Sequence, residues 1–187
     1  MSKQGDETVK NIFFIRHCQA EGQDPSAQLT EEGTRQSYLL AEFLKRYQID
    51  QIITSPFLRA IESIKPLCKE INLDYSIDNR LEERNLSSID LENWMDFLKE
   101  SYDDLDVAHE GGESSRQAMS RGLEVINEII KGPNHNVILV THGALLSLIL
   151  KYFDNDVGFE EWKSLTNPDI YLLRIEKNEY TIERIWK

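Results

Sequence analysis

Short apolar runs rich in β-branched and aromatic residues recur along this chain and predict the strands of a sheet. The runs NIFFIR, which begins at Asn11, and NVILVT, which begins at Asn136, are apolar at nearly every position. This is typical of strands that are buried on both faces of a parallel sheet. The run DQIITS over residues 50–55 has the same character, and residues 73–77 are compatible with a further short strand.

Segments with helical spacing separate these strands. Thr30 in LTEEG is a suitable N-cap for a helix that continues to about Tyr47. The apolar residues that recur at helical spacing within it are Tyr38, Leu39, Phe43 and Leu44. The segment Leu58–Ile71 also has helical spacing, although Pro66 predicts a kink or an early end.

Three further helices are predicted in the second half of the chain. They are residues 91–102, with Leu91, Trp94, Met95 and Leu98 on one side, a long helix from Ser114 or Ser115 to about Lys131, and residues 144–153. At the end of the chain, DIYLLRIE and EYTIERIW alternate as in an antiparallel hairpin around Lys177 and Asn178.

Strands that alternate with helices predict an α/β fold, a three-layer α/β/α sandwich whose mostly parallel sheet carries an antiparallel C-terminal element. With 187 residues, of which 40% are hydrophobic, the chain is long enough for one core. We therefore expect a single domain over residues 1–187, with residues 1–10 (MSKQGDETVK) as a polar tail.

Composition limits the cellular location and the binding partners that we expect. No apolar run is long enough to cross a bilayer, and the first ten residues lack the apolar centre of a signal peptide. Cys18 and Cys68 form neither a metal motif nor a disulfide framework, so we expect a cytoplasmic protein. The 21 basic and 33 acidic residues give a net charge of −12, which disfavours nucleic acid and anionic membranes. A small phosphorylated substrate remains compatible with this charge, and the oligomeric state is left open.

Basic and reactive residues follow three of the predicted strands. Arg16 and His17 end the first strand, Arg59 lies just past TSPF, and His142 ends NVILVTH. Ligands of open α/β sheets bind outside the carboxyl ends of strands, so we expect a site there. Three of these residues also have an ordinary structural interpretation. His17 could be a buried histidine at a strand end, Arg59 a surface residue of a helix, and His142 a helix cap.

Six segments in one order carry a specific resemblance. FIRHCQAE, LTEEG, TSPFLRAIES, RLEERNL, GGES and VTHG resemble the motif series of the histidine phosphatase superfamily, also called phosphoglycerate mutase-like. The resemblance implies that His17 is a nucleophile that becomes phosphohistidine. It also implies that Arg16 and Arg59 hold the phosphate and that His142 hydrogen-bonds the transferring phosphoryl group.

The resemblance further implies that Glu83 is the proton donor, although Glu82 is adjacent and a register error of one residue would exchange them. Gln19 and Glu21 lie where loop residues that face the substrate are expected. We expect no metal, because the histidines lack carboxylate or cysteine companions at ligand spacing, and no other cofactor.

The residue after the nucleophile is usually glycine in this family, and here it is Cys18. A position that requires positive φ would be strained by a side chain with a Cβ. We also formed the hypothesis that oxidation of Cys18 inhibits the protein.

The short connection CQAEGQDPSAQ between His17 and Leu29 favours hydrolysis over retention of the product. We therefore expect a metal-independent phosphomonoester hydrolase. A cofactor-dependent phosphoglycerate mutase is the first alternative. An inactive member that binds a phosphorylated ligand or a protein is the second.

Overall fold

Six strands form one mixed sheet in the computed structural model, counted over the residues that it describes, 9–177 and 179–186. They are β1 (Lys10–Arg16), β2 (Gln51–Thr54), β3 (Tyr75–Ile77), β4 (Asn136–Thr141), β5 (Asp169–Glu176) and β6 (Glu179–Arg184). Their order across the sheet is β3-β2-β4-β1-β5-β6. β4 pairs in parallel with β1 and β2, and β2 in parallel with β3, whereas β5 runs antiparallel to β1 and β6. The predicted parallel sheet with an antiparallel C-terminal element is confirmed.

Helices cover both faces of this sheet. They are α1 (Glu31–Leu44), α2 (Leu58–Ile71), α3 (Trp94–Asp103), α4 (Ser115–Lys131), α5 (Gly143–Phe153) and α6 (Phe159–Ser164), with one turn of 3₁₀ helix at Asn79–Leu81. Alternate residues of β1 point to opposite faces, so Phe13 and Ile15 pack with α1 and α2, and Ile12 and Phe14 pack with α3, α4 and α5. These two cores confirm the three-layer sandwich.

The buried face of α1 includes only some of its apolar residues. Tyr38 is 62% exposed and Leu39 is 59% exposed, whereas Leu40 and Leu44 are fully buried. Leu40 and Leu44 are four residues apart, so they lie on one side of the helix and pack against the sheet. Tyr38 and Leu39, although apolar and at helical spacing, therefore lie on the exposed side of α1.

The helix α2 continues past Pro66 and does not end early. Ile64 and Leu67, on either side of the proline, are fully buried in the core, so packing continues across it. This burial outweighs the one helical hydrogen bond that a proline cannot donate. The helix ends instead at Ile71, where Asn72 adopts a left-handed conformation with φ of 53°.

The helix α3 begins later than predicted, and its buried side is different. Leu91 lies before its first turn, Trp94 is 44% exposed and Met95 is 41% exposed. Phe97 and Leu98 fill the buried side instead. The short helix α6 was not predicted, since its six residues carry too few apolar positions to show a period.

Lys10 corrects the predicted polar tail. It is the first residue of β1, is buried, and its Nζ donates hydrogen bonds to the backbone carbonyl oxygens of Ile129, Gly132 and Asn134 at the end of α4. Residues 1–8 of that tail, and Asn178 of the predicted hairpin turn, lie outside the described residues. In the part of the chain that is described, no helix combines the length and apolarity needed to span a bilayer.

Candidate active site

The sheet brings the two predicted histidines together. β1 and β4 are parallel neighbours, and Arg16 is in register with Thr141. His17 and His142 therefore leave the sheet side by side, with ring centroids 5.1 Å apart. β2 pairs with the other side of β4, and the chain that follows it leads into α2, which carries Arg59 in its first turn.

The hydrogen bonds of His17 define its tautomer. Nδ1 lies 2.7 Å from the Cys18 carbonyl oxygen, which can only accept, so Nδ1 carries the proton. Nε2 accepts a hydrogen bond of 3.2 Å from Nε of Arg59. Burial lowers the pKa of His17 to about 3, and the Arg59 and Arg16 cations act in the same direction. His17 is therefore a neutral imidazole with its lone pair on Nε2, the form that attacks phosphorus.

The two arginines are anchored by backbone carbonyl oxygens. Nη1 of Arg59 donates to Gln23 and Asp24, at 3.1 and 2.9 Å, and Nη1 of Arg16 donates to Leu165 at 2.9 Å. Burial lowers the pKa of both guanidinium groups, and the negative charge of Glu83 opposes that effect.

Four buried side-chain nitrogens lack a hydrogen-bond partner within the described structure. They are Nε of Arg16, Nη2 of Arg59, Nη2 of Arg84 and Nδ1 of His142. Buried polar atoms are paired in the large majority of cases, so such a group indicates a ligand site. Three of the four belong to residues that the sequence assigned to phosphate binding.

His142 is fully buried and fixed by Ser55. Its Nε2 lies 2.7 Å from Oγ of Ser55, and the ring of Phe57 packs edge-on against it with centroids 4.9 Å apart. Burial, followed by the neighbouring His17, holds the pKa of His142 well below its ordinary value. A neutral His142 is therefore available to hydrogen-bond a phosphoryl oxygen through Nδ1.

The carboxylate of Glu83 is held at the N-terminus of α5, immediately after His142. Its two oxygens accept hydrogen bonds of 3.0 Å each from the backbone N–H groups of Ala144 and Leu145, and a third bond of 2.8 Å comes from the N–H of Arg84. A carboxylate is favoured at this position because the first N–H groups of a helix lack intrahelical partners. The adjacent Glu82 makes no such contact with α5, although its side chain lines the same cavity.

A cavity of about 780 Å³ opens over these residues, with Arg16, Arg59 and Glu83 in its lining. His17 is not itself part of this lining; it is 8% exposed and contacts Arg59, which is part of it. The structure therefore brings together five of the predicted site residues, namely Arg16, His17, Arg59, Glu83 and His142.

Gln19 and Glu21 do not join this group. The side-chain oxygen of Gln19 accepts a hydrogen bond from the Thr30 hydroxyl at 3.1 Å, and neither residue lines the cavity. The bridge between Ala20 and Leu29 turns this part of the loop toward α1. Gln23 and Pro25 of the same loop line the cavity, and a substrate-binding role for Gln19 and Glu21 stays a prediction.

Cys18 fits the backbone without strain. It is not among the residues with positive φ, it is fully buried, and its N–H donates to Oγ of Ser63 at 2.8 Å. Burial raises the pKa of its thiol to about 12. Since thiolate character and exposure govern oxidation, the structure does not favour the hypothesis of inhibition by Cys18 oxidation.

Sequence reasoning missed three residues that support the site. Ser55 holds His142, the side-chain amide of Asn167 donates to the His17 carbonyl oxygen at 2.7 Å, and Arg84 lies under the cavity. Ser55 directly follows a strand, which is a usable signal. Asn167 is far from His17 in the sequence and gave none.

The mixed α/β sheet, with a neutral histidine between arginines at the carboxyl ends of its central strands, defines a protein of the phosphoglycerate mutase-like class. The chain belongs to the histidine phosphatase superfamily, branch 1, whose family model matches residues 12–187.

Named relatives agree with this assignment. The chain is 26% identical over 163 residues to a glucosyl-3-phosphoglycerate phosphatase of Mycolicibacterium vanbaalenii, covering 75% of this chain and 72% of that protein. Two other relatives are longer, and this chain spans only 32% and 38% of their lengths.

Solved structures show the same fold. The structure of a mycobacterial glucosyl-3-phosphoglycerate phosphatase superposes with a TM-score of 0.75 at 21% identity, covering 94% of this chain and 98% of that one. A phosphoglycerate mutase from Bacillus anthracis superposes with a TM-score of 0.73 at 17% identity, covering 96% of this chain and 94% of that one. Phosphatases and mutases therefore share this architecture, and the fold alone does not separate them.

Proposed function

We propose that this protein hydrolyses small phosphomonoesters through a phosphohistidine formed at Nε2 of His17, without a metal ion. The observation that carries the proposal is the set of buried, unpartnered nitrogens on Arg16, Arg59 and His142 around a neutral His17. Phosphoryl transfer needs donors placed around the equatorial oxygens and a nucleophile in line with the leaving oxygen. The unpartnered nitrogens are available as the donors, and the neutral His17 is available as the nucleophile.

In the first step, the lone pair of Nε2 forms a bond to phosphorus while the ester P–O bond breaks. Glu83, which lines the cavity, takes the remaining proton of the bound phosphate monoanion and passes it to the leaving alcohol oxygen. In the second step, a water molecule attacks phosphorus, Glu83 takes one of its protons, and the P–N bond breaks. The products are the alcohol and inorganic phosphate, and His17 returns to its neutral form.

The hydrogen bond from Arg59 to Nε2 is compatible with this role. A phosphate dianion is a stronger acceptor for guanidinium than a neutral imidazole nitrogen, because its hydrogen bonds are charge-assisted. Phosphate binding therefore draws Nε of Arg59 away from Nε2 and frees the lone pair for attack. The carbonyl oxygens of Gln23 and Asp24 hold Nη1 meanwhile and limit this movement.

The short connection after His17 supports water as the acceptor. Only eleven residues, CQAEGQDPSAQ, separate His17 from Leu29, and a mutase must retain and reorient its product. All five residues of the machinery are present and brought together, which supports an active enzyme over an inactive binding member.

The test measures turnover of p-nitrophenyl phosphate in the presence of EDTA. A second measurement traps the labelled phosphoenzyme by rapid quenching without acid. We expect phosphate release and a phosphoenzyme that is stable to base and labile to acid. Phosphoglycerate, supplied with its bisphosphate, is the second substrate. Isomerisation of it that is faster than its hydrolysis would show that the protein is a mutase. Absence of both activities would indicate a binding protein.

A further inference from the structure

We propose that the preferred substrates carry their single phosphoryl group on an uncharged, apolar alcohol, such as one that bears an aromatic ring. The inference rests on the proposed phosphatase function and concerns the part of the cavity beyond the reacting centre. We call the apolar residues there the apolar wall. Its members are Leu86, Ile89, Leu91, Trp94, Leu98 and Trp162.

The apolar wall is built by segments that are distant in the sequence. The loop after Glu83 and the start of α3 supply most of it, and Trp162 of α6 closes it from the other side. The rings of Trp94 and Trp162 meet edge to face, with centroids 6.3 Å apart and planes at 85°. Phe159 stacks on Trp162 at 5.4 Å and supports it. Trp94 and Trp162 therefore form a pre-arranged aromatic part of the apolar wall.

Side chains of the apolar wall are more exposed than large apolar side chains usually are. Trp94 is 44% exposed and Ile89 is 59% exposed, although both are large and apolar. Apolar residues gathered in one cavity beside a reactive centre are typical of a small-molecule site, and the cavity volume of about 780 Å³ lies in the usual range for such sites. A substrate as small as phosphoserine would leave most of the wall uncovered.

Charge in the cavity excludes a second anionic group on the substrate. Arg16, Arg59 and Arg84 are the basic residues in its described lining. Arg16 and Arg59 lie beside His17, whereas Arg84 is hydrogen-bonded to Ser101 and Ser115. The other described residues that line the cavity include no lysine or arginine, and Asp90 adds a negative charge there. A carboxylate or second phosphate next to the wall would lose its hydration without gaining a partner.

Arg84 offers only one nitrogen to such a group, because its Nη2 is the guanidinium nitrogen without a partner among the described residues, and that atom is buried. Its Nη1 donates to the hydroxyl groups of Ser101 and Ser115 at 2.7 and 2.8 Å, and its Nε donates to the Glu113 carbonyl oxygen at 3.2 Å. Arg84 is only 4% exposed, so its guanidinium points into the protein under the cavity floor.

The experiment compares alkyl phosphates with matched leaving groups. Phenethyl phosphate, ethyl phosphate and phosphoserine all release a primary alcohol, so differences in kcat/KM report contacts beyond the reacting centre. We expect kcat/KM for phenethyl phosphate to exceed that for ethyl phosphate and for phosphoserine by about tenfold or more.

Two variants and one control variant show which residues of the cavity cause this substrate preference. Trp94→Ala should raise KM for phenethyl phosphate by about tenfold with little change in kcat, and should leave ethyl phosphate unaffected, because the wall binds ground state and transition state alike. Tyr38→Ala, which removes a more exposed ring on α1 outside the cavity, is the control and should change the kinetics of neither substrate. Asp90→Lys, in an exposed loop, should improve kcat/KM for phosphoserine relative to phenethyl phosphate.

The outcomes separate this inference from the function on which it rests. If ethyl phosphate is hydrolysed but phosphoserine is preferred over phenethyl phosphate, the inference is wrong and the phosphatase function stands. The same holds if Trp94→Ala affects ethyl and phenethyl phosphate equally. If no ester of the panel is hydrolysed, the inference and the proposed function both fail.

Discussion

The Nε atom of Arg59 lies 3.2 Å from Nε2 of His17, the ring nitrogen left without a proton because Nδ1 donates to the Cys18 carbonyl oxygen. This contact places a fixed cation beside the lone pair that attacks phosphorus. It also disfavours protonation of that nitrogen, because an imidazolium next to a guanidinium is repelled. The contact between Arg59 and His17 therefore keeps Nε2 unprotonated as the nucleophile and places a positive charge beside it.

His17→Ala tests the nucleophile directly. We expect kcat for p-nitrophenyl phosphate to fall by at least about a thousandfold, because the covalent route is lost while the arginines remain. The labelled phosphoenzyme should disappear as well. Circular dichroism serves as the control for folding, and turnover that persists in the variant at a similar rate would contradict a phosphohistidine.

Glu83→Gln and Glu82→Gln decide which carboxyl group is the acid. Glu83 is fixed at the start of α5, so its variant should lower kcat/KM for ethyl phosphate, which reports the steps up to release of the alcohol, by about a hundredfold or more. The loss should be much smaller for p-nitrophenyl phosphate, whose leaving oxygen needs no proton. Glu82→Gln is the matched control and should change either rate by less than about threefold. Equal losses on both substrates would contradict a proton-donor role for Glu83.

The position of the site could be predicted because it depends on two simple regularities. Buried parallel strands appear as continuous apolar runs, and their carboxyl ends meet at one edge of the sheet. Arg16, His17 and His142 end such runs, so their proximity followed once the strands were identified. Glu83 required the resemblance, because it lies in a loop that no periodicity describes.

The rest of the cavity could not be predicted because it depends on loop conformation and on distant segments. Trp94 and Trp162 meet only after α3 and α6 are placed, and α6 itself gave no periodic signal. The conformation of the loop that holds Gln19 and Glu21 depends on a backbone bridge between Ala20 and Leu29, which no local sequence pattern indicates. On α1, adjacent apolar residues left two possible buried faces, and contact with the sheet selected Leu40 over Leu39.

Lys10→Met tests the buried end of β1. The ammonium group of Lys10 donates to three carbonyl oxygens at the C-terminus of α4, where a cation is also favoured by the helix dipole. We expect urea unfolding to show a loss of about 2–3 kcal/mol, because the carbonyl oxygens lose a charged donor. Activity of the folded protein should not change.

Lys45→Met is the matched control for this substitution. Lys45 forms exposed ion pairs with Glu42 at 2.7 Å and with Glu70 at 3.4 Å. Exposed pairs of this kind contribute less than about 1 kcal/mol. An effect of Lys10→Met no larger than that of Lys45→Met would show that the three hydrogen bonds of Lys10 are not retained in solution.

The low pKa of His17 makes stability depend on pH in a definite direction. The unfolded chain binds a proton at His17 below pH 6.5, whereas the folded chain does not until about pH 3. The unfolded state therefore binds more protons in this window, and the free energy of unfolding decreases as the pH falls through it. The contribution of His17 to this decrease is at most about 1.4 kcal/mol per pH unit.

The measurement is the difference in unfolding free energy between the native protein and His17→Gln, taken by urea denaturation at several pH values. The glutamine amide can still donate to the Cys18 carbonyl oxygen but binds no proton, so the variant should gain stability relative to the native protein as the pH falls below about 6.5. His135→Gln, which removes an exposed histidine outside the site, is the matched control. Titrating groups that are distant from His17 contribute equally to the native protein and the variant, so their contributions cancel in the difference. A difference that stays constant between about pH 7 and pH 5 would show that folded His17 takes up its proton in the ordinary range. The imidazole would then be charged at mildly acidic pH and could not attack phosphorus there.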